Sequence, residues 1–230
     1  MTGMRRLISH DMYTTVFGTV YLALMTNLLL VVGALPLVVG LVTTDPVRSW
    51  PLLAVLATVS APAVCAAFAV FAAYTADGSV DVVRTFVRAW RASARGALRL
   101  GALAATATVV LAVDVRALWG RPVGAVAIPV LVVLIVLVLA VTVLSFAALA
   151  EVPTARVRDV LRASVYLAVR RWYLTAASLA TLGLLLALFA AKPAIAMGLA
   201  AAPLLYAVWG NSRFTLRPVL APSAAPVVAA

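Results

Sequence analysis

Six stretches of the chain are almost continuously apolar, and the polar residues gather between them. These stretches run over about 16–42, 51–74, 97–115, 124–149, 172–191 and 193–210. A helix crosses the hydrocarbon layer of a membrane in roughly 20 residues, so each stretch is read as one span. The third is closed early by Asp114 and Arg116, and the last two are divided only by Lys192 and Pro193. Residues 172–210 are about twice the length one straight span needs. Proline in the first turn of a new helix sacrifices no hydrogen bond, so this region predicts a tight helical hairpin. The pattern as a whole predicts an all-α, polytopic membrane helical bundle with six transmembrane helices, a single domain over 1–220. The Pro/Ala/Val-rich residues 221–230 read as a disordered tail too short to span.

Composition makes the membrane reading necessary. The 230 residues are 66% hydrophobic and 11% charged, where a soluble domain has about 45–50% and about 25%. A core of this size cannot hide such an excess, so lipid must solvate much of the surface. Arg5 and Arg6 precede the first apolar stretch, as in a signal peptide. That stretch is far longer than the ~7–15 residues of a signal-peptide core and reads as an uncleaved helix.

The net charge of +11 is dispersed between the apolar runs, which excludes a nucleic-acid surface and points to the membrane surface. Counted by loop, fourteen of the 18 Lys and Arg residues fall on one side, at the two termini and the 75–100 and 153–171 segments. Only Arg48, Arg116, Arg121 and Lys192 fall on the other. By the positive-inside rule both termini lie in the cytoplasm of a bacterial cell, across its inner membrane.

Residues 79–95 carry four arginines. At the bilayer centre these would cost roughly 10–14 kcal/mol, against about 3 kcal/mol returned by Val80, Val82, Val83, Phe86 and Val87. The segment therefore stays out of the bilayer. Arg84, Arg88, Arg91 and Arg95 fall at i, i+4, i+7 and i+11, one stripe of a helix, beside an apolar stripe of Val83, Phe86, Val87, Trp90 and Ala94. Asp81 in the first turn suits the helix dipole. The segment predicts a cytoplasmic amphipathic helix between the second and third spans, lying along the leaflet. Its arginines and its Phe86 and Trp90 are candidates for contact with anionic lipids or with a protein partner.

The segment has a second version downstream. Val83-Arg-Thr-Phe-Val-Arg-Ala aligns with Val157-Arg-Asp-Val-Leu-Arg-Ala at an offset of 74 residues. The same offset lays span two on span four and span three on span five. Either a parallel repeat or chance in low-complexity sequence accounts for the match.

Candidate chemistry is sparse. The seven acids (Asp11, Asp45, Asp77, Asp81, Asp114, Glu151 and Asp159) lie in loops or at helix ends, and His10 has no clustered ligands. No carboxylate sits at mid-span, as an ion-coupled carrier would require. No phosphate-binding glycine loop and no His-Glu-x-x-His pattern occurs, and Cys65 is a lone thiol in an apolar run. We therefore expect no enzyme, no metal and no cofactor. Asn27, near the middle of the first span, is the one deep amide; it serves either as interhelical glue or as a substrate contact. Pro36 and Pro62 interrupt spans one and two, as kinks or as marks of a midplane site.

Three motifs carry a resemblance. They are Asn27-Leu-Leu-Leu followed by Pro36, Ala61-Pro-Ala-Val-Cys-Ala-Ala-Phe in span two, and Asp81-Val-Val-Arg-Thr-Phe-Val-Arg-Ala-Trp-Arg after a glycine turn. Together, over residues 16–101, they resemble the YesL-like family of bacterial integral membrane proteins. The resemblance implies a non-catalytic helical protein associated with carbohydrate uptake, an accessory to the permease subunits of an ABC importer. An independent small-solute transporter or permease, with a homo-oligomer as its candidate assembly, is the alternative expectation.

Overall fold

The computed structural model describes residues 2–45 and 48–220, and side-chain surroundings over 17–45 and 48–217. Every regular element among the described residues is helical: α1 (Thr2–Gly33), α2 (Leu35–Thr43), α3 (Trp50–Asp77), α4 (Val82–Leu118), α5 (Gly124–Glu151), α6 (Val157–Arg170), α7 (Trp172–Ala191), α8 (Pro193–Ile195) and α9 (Ala201–Leu220). A π-helical turn, Ala196–Ala200, joins α8 to α9. Among the described residues, five helical runs are long and apolar enough to cross a membrane, and α1 with α2 makes a sixth if the bent pair is one span. The chain is an all-α bundle of membrane-spanning helices. Residues 221–230 lie outside the described part.

The first span is broken where the sequence places its proline. Pro36 has no N–H to return to the preceding turn and crowds it, and the axis turns by 72° between Gly33 and Leu35. The broken end lies close against α3: a Cβ built on Gly33 would stand 2.8 Å from the Cβ of Ala63. Only a glycine allows that approach.

The centre of the bundle is α3, whose residues 60–71 are mostly buried, with Phe68, Phe71 and Val70 fully enclosed. Pro62 sits inside this helix without ending it. Beside it, Gly101 of α4 packs so closely that an added Cβ would lie 3.1 Å from Ala61 and 3.4 Å from the Thr58 backbone. By contrast α7 buries little besides Ser178 and runs along the outside.

One expected boundary is absent. The amphipathic segment and the third span are not separate helices; α4 runs unbroken through both for 37 residues, about 55 Å at ~1.5 Å per residue. Ala, Arg and Leu dominate the junction and favour continuation, and no proline falls between residues 82 and 118. A hydrocarbon layer of about 30 Å cannot contain such a length, so the arginine-bearing third of α4 extends past it. The final helix is also longer than its apolar stretch, reaching Leu220.

The offset of 74 residues reappears in the helix boundaries. Trp50–Asp77 and Gly124–Glu151 are both 28 residues long, and both of their ends differ by 74. Val82, which opens α4, maps to residue 156, one before the start of α6. Core positions follow: Ala66, Ala67 and Val70 are buried in α3, as are Ala140, Val141 and Leu144 in α5. The second unit differs in one respect, because its amphipathic part (α6) is separated from its span (α7) by a break at Arg171.

Candidate functional site

The arginine stripe is positioned by the turn that precedes it. Gly78, at φ 71°, ends α3 with its N–H on the Tyr74 carbonyl, a backbone conformation open to glycine at no steric cost. Asp81 then caps α4, its Oδ1 accepting the Arg84 N–H at 3.1 Å. From that start the buried face of α4 is Val82, Phe86, Ser93, Ala97 and Leu100. Ser93 satisfies itself by donating to the Ala89 carbonyl at 2.8 Å.

The apolar stripe inferred from sequence is thereby divided. Phe86 is 5% exposed and belongs to the core, so it is not part of a contact surface. Val83, Val87 and Trp90 lie further round the helix and are exposed, Trp90 by 40%. Beside them Arg84, Arg88, Arg91 and Arg95 are all exposed, and none forms an ion pair with a described residue. This surface therefore combines a hydrophobic strip with a parallel row of four charges that have no ion-pair partner among the described residues.

Other arginines at the same end of the bundle are engaged. Arg213 pairs with Glu151 at 3.2 Å and lies over the Trp209 ring at 5.2 Å. Arg171 donates to the Phe214 carbonyl at 2.7 Å and lies over its ring at 5.4 Å. Arg170 bonds to the Tyr166 hydroxyl at 3.0 Å, and Arg217 stacks on Phe214. Of these, Arg213 ties α9 to α5, and Arg171 ties it to the C-terminal end of α6. Sequence alone gave no means of separating the engaged arginines from the free ones, because their partners come from distant segments.

Asn27 is 2% exposed and faces the π-helical turn. Its Nδ2 donates to the Gly198 carbonyl at 3.0 Å, and its Oδ1 accepts the Ala202 N–H at 2.6 Å. In an α-helix the N–H of residue 202 would donate to the carbonyl of residue 198. The amide is thus inserted into one broken rung of the last helix and supplies both missing partners. The neighbouring Thr26 hydroxyl is fully buried and has no partner among the described residues.

No group of three or more His, Cys, Asp or Glu side chains among the described residues could hold a metal ion. Cys65 is buried in α3. At the end of the bundle opposite the arginines, Trp50, Arg116 and Trp119 line an open cleft of about 630 Å³ with Ala112 and Val115. Indole rings and a long basic side chain in that place match an interfacial girdle. Comparison of the chain with protein-family models, with curated proteins and with solved structures gives no match.

Proposed function

We propose that this chain is a non-catalytic protein of the bacterial inner membrane that works by contact, through the surface of α4 carrying Arg84, Arg88, Arg91 and Arg95 beside Val83, Val87 and Trp90. One observation carries the reading: four exposed arginines in a row find no acidic partner among the described residues, although other arginines at the same end of the bundle are engaged. The long axis of α4 supports it, since a helix anchored in the bilayer and continued beyond it presents such a row as a rigid edge. Both termini and this edge face the cytoplasm, where anionic headgroups attract the charge. The partner class follows from the resemblance to YesL-like proteins: the permease subunits of a carbohydrate ABC importer, to which this chain is an accessory.

An independent carrier would use Asn27 along its path. Both polar atoms of that amide are held by backbone groups of the last helix, which favours the contact role.

Purification of the tagged protein from its native membrane in mild detergent tests the proposal. Importer permease subunits accompany the wild type and are lost when Arg84, Arg88 and Arg91 are all replaced by Gln, while insertion is unchanged. Recovery of the same partners with the triple variant, or of the wild type alone, refutes it.

A further inference from the structure

Between α5, α7 and α9 lies a small cavity lined by four hydroxyl-bearing residues, Thr175, Ser178, Ser212 and Thr215. Its remaining walls are apolar, with Leu144 and Leu179 prominent. The centre of a water-sized sphere can move through about 10 Å³ of it, close to the minimum of about 10–15 Å³ that admits one water molecule. We propose that this cavity is a binding site for a single structural water.

The hydroxyls are matched to that ligand in number and in sense. Thr175 spends its hydrogen on the carbonyls of Ala168 and Arg171, at 3.2 Å and 3.4 Å. Thr215 spends its own on the Asn211 carbonyl at 2.9 Å. Both threonine oxygens therefore keep lone pairs but have no free hydrogen. Ser212 is 1% exposed and its Oγ has no partner; Ser178 is 6% exposed and also has none among the described residues. These two retain hydrogens to give. A water donates two hydrogen bonds and accepts two. Placed here it donates to Thr175 and Thr215 and accepts from Ser178 and Ser212, which relieves the cost of a buried, unsatisfied Ser212 hydroxyl. A metal ion is a poorer occupant, because no carboxylate lines the space. The water joins the peripheral α7 to α9, and α5 supplies only apolar wall.

Radiolytic hydroxyl-radical labelling of the wild-type protein in detergent tests the site, because a radical formed from a bound water oxidises the side chain beside it. Leu144 and Leu149 are both buried in α5, but only Leu144 lines the cavity. Oxidation of Leu144 at least severalfold above Leu149 is the expected result, and Thr215→Val, which keeps the shape and removes one acceptor, lowers it. Equal and negligible labelling of the two leucines in the wild type overturns the proposal. So does Leu144 labelling that is identical in Thr215→Val.

Discussion

The carbonyl oxygen of the Asn27 side chain accepts the backbone N–H of Ala202, across 175 residues of sequence, at 2.6 Å. With the Gly198 carbonyl taken by the other end of the same amide, one side chain on the first span completes the backbone of the last. Unpaired backbone groups in a bilayer cost several kcal/mol each, so the π-helical turn is sustained by a residue from another helix.

Replacing Asn27 by Leu removes this bridge. The released N–H and carbonyl are separated by one α-helical rung and can close on each other, which limits the loss to about 1–2 kcal/mol. Asn27→Asp is worse, because an ionised oxygen then faces the Gly198 carbonyl. Unfolding in mixed micelles should rank wild type above Leu above Asp; equal stability of all three would remove the structural role from the amide.

Two glycines should respond in opposite ways. Gly101→Leu drives a side chain into Ala61 and Thr58 and should cost at least ~1–3 kcal/mol through overpacking. Gly183 has nothing within 4 Å of a built Cβ, so Gly183→Leu should change stability by no more than about 0.5 kcal/mol. Thermal denaturation of the two variants side by side is the check.

The division of arginines into engaged and free also predicts a contrast. Arg213→Gln breaks the Glu151 pair and the contact with Trp209, a loss of about 1 kcal/mol for partly exposed interactions of this kind. Arg88→Gln touches no internal partner, and its melting temperature should match the wild type within error.

Orientation is open to chemical labelling, since the only cysteine, Cys65, is buried and should not react with a maleimide before denaturation. Ser79 and Trp119 are exposed at opposite ends of the bundle. An impermeant maleimide added to intact cells should label Trp119→Cys at once and Ser79→Cys only after the membrane is opened. The reverse order would invert the topology.

Much of this architecture was legible from hydropathy, because apolar runs of membrane length have few other uses. The bend at Pro36 and the hairpin at Pro193 followed from the missing N–H of proline, and the repeat offset of 74 reappears in the helix ends. Three features were missed. The fusion of the amphipathic segment with the third span follows from a helix-favouring junction without proline, but the change from charged to apolar residues there suggests a boundary although it does not break a helix. The burial of Phe86 but not Val83, Val87 or Trp90 depends on which side α3 and α5 approach, and periodicity gives a stripe without fixing its edges. The insertion of Asn27 into a distant helix has no local signal beyond a polar residue at depth.

The proposal that α4 is a contact surface is tested most directly at Trp90, exposed between the arginines and away from the core. A photo-crosslinking amino acid placed at this position, irradiated in the native membrane, should form an adduct with a permease subunit of a carbohydrate importer. Replacing Arg84 and Arg88 by Gln in the same chain should abolish that adduct. Crosslinking to lipid alone, or a protein adduct indifferent to the two arginines, would contradict the assignment.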